Sequence, residues 1–237
     1  MTNRQKEEKL VESLKDPTEN HSKEISNLIN KTIRNKHKVY LCTDFHLWKR
    51  KKKNHPECTR NKNFEEILKN VNNTMTDDDL LIYLGDFVDG EYQDKESLKD
   101  ILLAIPGKKV MCLGNNDLFG PAFYKSCGID HCVQSFIWND ILFCHIPAKN
   151  DNQMNIHGHI HSNEYTPTYW VPYTNQIDVA WCGGREKPVE LKEVISKQKA
   201  FSKVAKEDPS HFEEGYYIKQ DNIFDTIMES YIPDPFE

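Results

Sequence analysis

Three short apolar runs, each followed at once by acidic or amide side chains, constrain the fold of this chain most. They span residues 39–43, 80–84 and 110–113 and are rich in residues that favour β-strands. Apolar residues at helical spacing lie between them, over 67–71 and 98–105. Strands that alternate with helices are typical of right-handed βαβ units. The sequence therefore predicts an α/β fold with a sheet covered on both faces.

The pattern changes after residue 130, where turns replace most of the helical spacing. Asn139-Asp140 has the composition of a hairpin turn, and a helix is predicted to begin near Pro188. Strands are predicted over 133–138, 141–145, 155–161 and 177–181. We expect these strands to form a second, more antiparallel sheet.

The chain divides by composition into three parts. Residues 1–37 are polar and predict a helical N-terminal extension of two short helices, whereas residues 38–195 hold the strands and form the central domain. Residues 196–237 are predicted to be an acidic, helix-bearing C-terminal extension, since nine acidic and two basic residues follow position 205. A chain of 237 residues suits one large domain with such extensions.

Net charge, the length of apolar runs and cysteine usage each argue against a class of protein. The formal net charge of −6 argues against a general nucleic-acid binder. Apolar runs are far shorter than the roughly 18 residues of a membrane span, and Met1 begins a polar stretch unlike a signal peptide. The seven cysteines are scattered without a C-x-x-C pair, which disfavours a disulfide framework or a zinc ribbon. A reducing compartment, and hence a cytoplasmic protein, is predicted.

Side chains able to bind a metal follow the predicted strands. Taken singly, each short motif is more often structural, but ligands bind outside the carboxyl ends of strands in an open α/β sheet, so we expect them to converge. Oxygen and imidazole donors without thiolate suit divalent Mn, Fe, Zn, Ni or Mg. In chain order the motifs that carry them contain Asp44 and His46; Gly85, Asp86 and Asp89; Gly114, Asn115, Asn116 and Asp117; His145; and His157, His159 and His161.

This ordered set resembles the calcineurin-like metallophosphoesterase superfamily, most closely its small single-domain bacterial and phage members. The similarity covers about residues 38–195, which would then be the catalytic domain. The resemblance implies a four-layer α/β/β/α sandwich. It also implies a phosphoesterase in which a hydroxide bridging two divalent metal ions, Mn foremost, attacks phosphorus.

The resemblance further implies a role for each motif residue. Asp86 would bridge the two metals and is a catalytic candidate together with Asn116 and His157. His157 is more readily a hydrogen-bonding partner than a metal ligand. Asp89 and Asp117 would orient ligands. One metal would be held by Asp44, His46 and His161, and the other by Asn115, His145 and His159.

Two departures from the family pattern bear on the substrate. Many members have His where this chain has Asn116, and an amide cannot transfer a proton, so phosphodiesters are favoured over monoesters. Gly90 replaces the Arg of protein Ser/Thr phosphatases, which makes a phosphoprotein substrate disfavoured. The alternatives are a phosphomonoesterase, a nucleotide-lipid pyrophosphate hydrolase, or a metal-bound interaction scaffold without turnover.

A basic segment at 48–62 follows the first motif and carries net charge +6. A solvated charged face is as good a reading as a substrate-binding loop. Under the second reading, a phosphate-ester substrate such as a nucleotide or nucleic acid would contact Trp48, Lys49, Arg50 and Arg60. The acidic C-terminal extension could then fold back onto this segment.

Overall fold

The computed structural model describes residues 19–47, 64–88, 94–117, 119–148, 153–160, 175–180 and 184–207. Five helices and nine strands lie within these ranges. The first half of the described chain contains α1 (Glu19–Arg34), β1 (Val39–Cys42), α2 (Phe64–Thr74), β2 (Leu80–Tyr83), α3 (Lys95–Ala104), β3 (Lys108–Cys112) and α4 (Pro121–Ser126). The second half contains β4 (His131–Val133), β5 (Ser135–Trp138), β6 (Ile141–Cys144), β7 (Asn155–His157), β8 (Gln176–Asp178), β9 (Val189–Glu190) and α5 (Leu191–Glu207).

The first sheet has the strand order β4-β3-β2-β1-β9. Its first four strands are parallel, with Leu41 opposite Ile82 and Ile82 opposite Val110, whereas β9 pairs antiparallel with β1. All residues of β1 and β2 are buried, as expected for strands covered on both faces. The parallel sheet predicted from the apolar runs is confirmed.

The second sheet has the order β5-β6-β7-β8. A tight hairpin joins β5 to β6 through Asn139 and Asp140, whose φ values of 48° and 60° are those of a type I′ turn. The sequence predicts that this second sheet is more antiparallel. The β5–β6 hairpin pairs antiparallel as expected, whereas β6–β7 and β7–β8 pair in parallel. The connections after β6 and β7 are long enough to return the chain to the same end of the sheet. A two-residue strand, β9, precedes the helix expected near Pro188.

Two apolar clusters separate the layers. Val71, Leu98 and Tyr124, from α2, α3 and α4, pack against one face of the first sheet. The other face packs against the second sheet, where Phe136 and Phe143 stack at a ring-centroid distance of 4.7 Å. Burial of each such side chain contributes about 1.5–3 kcal/mol. The α/β fold with two stacked sheets and helical layers is confirmed.

Helix α1 covers the free edge of β5 as well as part of the core. The amide of Ile137 donates to Ser22 Oγ at 3.2 Å, and Ser26 Oγ donates to the carbonyl of Ile137 at 3.2 Å. Trp138 Nε1 donates to Asn30 Oδ1 at 3.0 Å. The same helix buries Ile25 and Ile29 completely between the sheets.

The division of the chain into three parts stays a prediction. Its boundary after residue 195 lies inside α5, a continuous helix whose Leu191 and Val194 belong to the core between the sheets. Across the described ranges, no helix has both the length and the apolar character of a membrane span.

Candidate metal centre

The candidate ligands lie where the strands of both sheets end, and they leave the strands with unusual backbone. Asp44, His46, Asp86 and His159 have φ values of 53°, 45°, 57° and 72°, in the left-handed region. Each such residue costs about 1 kcal/mol. Backbone hydrogen bonds hold two of these turns, from Asp44 N to Gly85 O and from His46 N to Asp86 O, both at 3.0 Å.

Two groups of candidate ligands share one carboxylate. Asp44, His46 and Asp86 form the first group, and Asp86, His145 and His159 form the second, with the ligand atoms of each group within 4.8 Å of one another. His46 Nε2 lies 3.5 Å and His145 Nε2 lies 3.4 Å from the same oxygen, Asp86 Oδ2. Asp86 therefore stands between the two groups, where a bridging ligand would stand.

Asn115 lies between the two imidazoles of the second group. Its Oδ1 is 3.0 Å from His145 Nε2 and 3.1 Å from His159 Nδ1. His145 Nδ1 lies 2.7 Å from the carbonyl of Leu84, which can only accept, so Nδ1 carries the proton. In neutral His145 the lone pair of Nε2 then faces the oxygens of Asn115 and Asp86. A proton on Nε2, or a cation held between these atoms, would satisfy this convergence of acceptors.

The pKa values reflect the same convergence. Burial lowers the pKa of His145, but the charges of Asp86 and Asp44 outweigh it and raise the pKa to about 10. Burial raises the pKa of Asp86, and the neighbouring His145 and His46 outweigh that effect and lower it below its usual range. The carboxylate of Asp86 is thus an anion, and the donor set fits a divalent cation.

Asn116 contacts the shared carboxylate twice. Its backbone N–H donates to Asp86 Oδ1 at 2.8 Å, and its side-chain Nδ2 donates to Asp86 Oδ2 at 2.6 Å. The residue predicted to be catalytic is therefore next to the candidate bridge. Gly114 allows this approach, because a Cβ atom there would collide with Asp86 Oδ1.

Asp117 supports the site from behind. Its Oδ2 accepts the backbone N–H groups of Asp86 at 2.9 Å and Gly114 at 2.8 Å, while Oδ1 accepts that of Phe87 at 3.0 Å. Burial and the charge of Asp86 raise the pKa of Asp117 to about 6. These contacts are the ones that a ligand-orienting residue would make, and that role of Asp117 stays a prediction.

His157 lies beside the site but in neither group of ligands. Its side chain is fully buried, and its Nδ1 donates to the carbonyl of Gly158 at 2.9 Å. Burial lowers the pKa of His157 to about 4, so the ring is neutral. The structure thus places this predicted catalytic residue against the turn that leads to His159.

Several predicted residues lie outside the described ranges and remain predictions. They are the first of the two predicted N-terminal helices, within residues 1–18, the predicted metal ligand His161, Asp89, the whole basic segment 48–62 with Trp48, Lys49, Arg50 and Arg60, and the C-terminal extension from residue 208 onward.

Two supporting side chains carried no recognisable signal in the sequence. Thr43 Oγ1 donates to Asp44 Oδ2 at 2.7 Å, and Tyr83 accepts the backbone N–H of Phe45 at 2.8 Å. Both residues look like ordinary strand residues in the sequence, since β-branched and aromatic side chains favour strands. Only the three-dimensional pairing of β1 with β2 reveals their contacts to the first motif.

Comparison with known proteins gives one family and a few relatives. The family model for calcineurin-like phosphoesterases matches residues 37–224. An uncharacterized protein of Methanocaldococcus jannaschii is 28% identical over 172 residues, which cover 67% of this chain and 89% of that protein. A crystal structure of a protein of unknown function from Aquifex aeolicus has a TM-score of 0.50 and 25% identity, covering 67% of this chain and 98% of that one. The nuclease MPE of Pseudomonas putida has a TM-score of 0.38 and 19% identity, covering 52% of this chain and 61% of that one.

Proposed function

Because this chain belongs to the calcineurin-like phosphoesterase family, we propose that it hydrolyses phosphodiesters with two divalent metal ions bound at the strand ends. The family implies metal-dependent hydrolysis of phosphate esters. The observation that carries the two-metal proposal is the position of Asp86, whose Oδ2 lies within 3.5 Å of an imidazole nitrogen from each group. A shared carboxylate offsets the repulsion between two neighbouring cations.

The proposed ligands divide between the two sites. Asp44, His46 and His161 would hold one ion, and Asn115, His145 and His159 would hold the other, with Asp86 common to both. The oxygen and imidazole set fits divalent Mn, Fe, Zn, Ni or Mg. Mn is the ion that we propose first, as the family resemblance implies. When bound, the ions would neutralise charge on the phosphoryl oxygens and lower the pKa of a water nucleophile.

The protein's own residues prepare this chemistry. The hydrogen bond from His145 to Leu84 O holds Nδ1 as the donor, so that Nε2 is the atom presented to the ligand group. Asn116, through its two hydrogen bonds, holds the Asp86 carboxylate in place. His157, through its bond to Gly158, would orient the turn before His159 rather than exchange protons with substrate.

The diester preference follows from what Asn116 lacks. An amide donates hydrogen bonds but has no proton to transfer, so nothing at this position would protonate a poor leaving group. We expect turnover of diesters and activated esters to exceed that of simple monoesters. A nucleotide or nucleic-acid substrate in the cytoplasm agrees with the basic segment 48–62 and the scattered cysteines.

Metal analysis of the purified protein, paired with Mn²⁺-supplemented assays, tests the proposal. Bis(p-nitrophenyl) phosphate and p-nitrophenyl phosphate compare a diester with the matching monoester. We expect about two metal ions per chain and faster turnover of the diester. Metal affinity in His159→Ala should fall by more than the ~10–100-fold that loss of a residue supporting a ligand typically costs. His131→Ala is the matched control, since His131 begins β4 at the far end of the sheet.

Each part of the result separates a different claim. The proposed phosphoesterase activity would be disproved by three results together: fewer than two metal ions per chain, no turnover of either ester, and no effect of His159→Ala. Faster turnover of the monoester would be consistent with the proposed phosphoesterase activity but would overturn the diester preference that we infer from Asn116.

A further inference from the structure

A lysine and two aromatic rings form a surface cluster that the proposed chemistry does not use. The ammonium group of Lys95 lies 5.3 Å from the ring centroid of Phe119 and 5.8 Å from that of Phe123. The two rings are themselves 4.4 Å apart. Lys95 is exposed and both rings are partly exposed, so the Lys95–Phe119–Phe123 cluster is open to a ligand.

The cluster lies next to the candidate metal centre. Phe119 follows Asp117 by two positions, beyond the carboxyl end of β3, and Lys95 begins the helix that follows β2. Tyr124 connects the two places: its ring is 5.5 Å from that of Phe123, and its hydroxyl donates to Asp117 Oδ1 at 3.3 Å. Asp117 in turn accepts the backbone N–H of Asp86. Three contacts thus join the cluster to the backbone of Asp86, the candidate bridging residue.

The charge around Lys95 leaves it able to meet an anion. Asp94 precedes it, but the carboxylate of Asp94 caps α3 and accepts from Ser97 N at 3.1 Å and from Ser97 Oγ at 2.7 Å. Cation–π attraction to two rings limits where the ammonium can go. A positioned cation beside exposed aromatic faces is the combination that binds a base and its neighbouring phosphate.

We infer that the Lys95–Phe119–Phe123 cluster binds the nucleoside and adjoining phosphate next to the scissile bond of a single-stranded nucleic acid. The base stacks on Phe119, and the ammonium of Lys95 pairs with the neighbouring phosphate. This assignment rests on the proposed phosphodiesterase function and names its substrate class. Packing against the core would explain why Phe119 and Phe123 lie where they do. It would not explain why the exposed Lys95 lies over both rings.

Two esters with the same leaving group test the stacking contact. Thymidine 5′-(p-nitrophenyl phosphate) carries a nucleoside, and methyl p-nitrophenyl phosphate does not. Phe119→Leu keeps apolar volume but removes the π-face, so we expect the ratio of kcat/KM for the first ester to that for the second to fall about fivefold or more. An unchanged ratio would overturn the inference.

Binding gives a second readout that needs no turnover. A fluorescein-labelled oligothymidylate with phosphorothioate linkages is titrated onto the protein, and its anisotropy gives Kd. We expect Lys95→Ala to weaken binding about fivefold, Lys95→Arg to restore most of it, and Lys99→Ala, on the same helix, to leave it unchanged.

The outcomes distinguish the two proposals. Failure of the wild-type protein to bind the oligonucleotide, or equal weakening by Lys95→Ala and Lys99→Ala, would overturn the cluster as a substrate site. Absence of turnover of every ester with oligonucleotide binding intact would instead overturn the proposed hydrolysis.

Discussion

The side chain of Asp117 binds the backbone of Asp86 and does not contact the carboxylate of Asp86 by a hydrogen bond. The Oδ2 atom of Asp117 accepts the Asp86 N–H at 2.9 Å, which leaves both carboxylate oxygens of Asp86 directed toward Asn116 and the imidazoles. One acid thus positions a second acid without sharing its ligand atoms. The raised pKa of Asp117 is the consequence of placing the two charges so close in a buried site.

Asp117→Asn is expected to weaken metal binding about 10–100-fold, because an amide group cannot accept from all three backbone N–H donors. Unfolding in urea should show a loss of about 1–3 kcal/mol. Tyr124→Phe is the control, since it removes one contact at 3.3 Å to the same carboxylate and leaves the N–H partners in place. Metal affinity equal to that of wild type in Asp117→Asn would contradict the positioning role.

Gly114→Ala is expected to displace Asp86 and to lose metal from both proposed sites together. A Cβ atom at residue 114 would collide with the side-chain Oδ1 and the backbone N of Asp86, and neither can move without breaking hydrogen bonds. Gly120→Ala should behave as wild type, because a Cβ atom there meets nothing within 4 Å. Metal content and thermal unfolding of the two variants check this, and full metal occupancy in Gly114→Ala would refute it.

Lys109→Met tests a buried cation far from the metal centre. Its ammonium donates to the carbonyls of Ile105 at 2.8 Å and Gly107 at 3.0 Å, in the turn that follows α3. Methionine fills similar space but leaves those acceptors unpaired, so the free energy of unfolding should fall by about 1–3 kcal/mol. Lys108→Met changes an exposed neighbour on the same strand and should fall within about 0.5 kcal/mol of wild type. Equal denaturant midpoints for the two variants would show that the carbonyls do not need Lys109.

Thiol labelling tests the packing of the core. Cys42, Cys112, Cys127, Cys132 and Cys144 are buried and free, and burial raises the pKa of each thiol. At pH 8 these thiols are protonated and shielded, so in native protein no more than two of the seven cysteines should react quickly with a disulfide reagent. All seven should react in denaturant. Rapid reaction of more than two in the native protein would show that the core opens.

The first sheet and its candidate ligands were predictable, since each depends on a local pattern. The apolar run before Asp86 requires a strand, and the carboxyl ends of parallel strands meet at one edge. The pairing within the second sheet was not predictable in this way. An apolar run such as that of β6 is compatible with a parallel or an antiparallel neighbour, and only the path of the connections decides between them.

Fine details of the site also lay beyond local patterns. The left-handed backbone at Asp44 and His46 depends on hydrogen bonds from one strand end to the next, which no spacing along the chain records. The bidentate contact of Asn116 with Asp86 joins residues thirty positions apart. Sequence reasoning identified the chemical types, whereas the distances that relate them arise from the pairing of neighbouring strands within the first sheet.

The edge contacts of α1 have a practical consequence for how the protein is shortened. Family similarity begins at residue 37, yet α1 ends at Arg34. Trimming the chain to the family boundary would remove the side chains that satisfy β5 and would open two holes where Ile25 and Ile29 sit. A bare strand edge of that kind invites pairing with another molecule. A shortened chain should therefore keep α1 and begin before residue 37, where the family similarity begins.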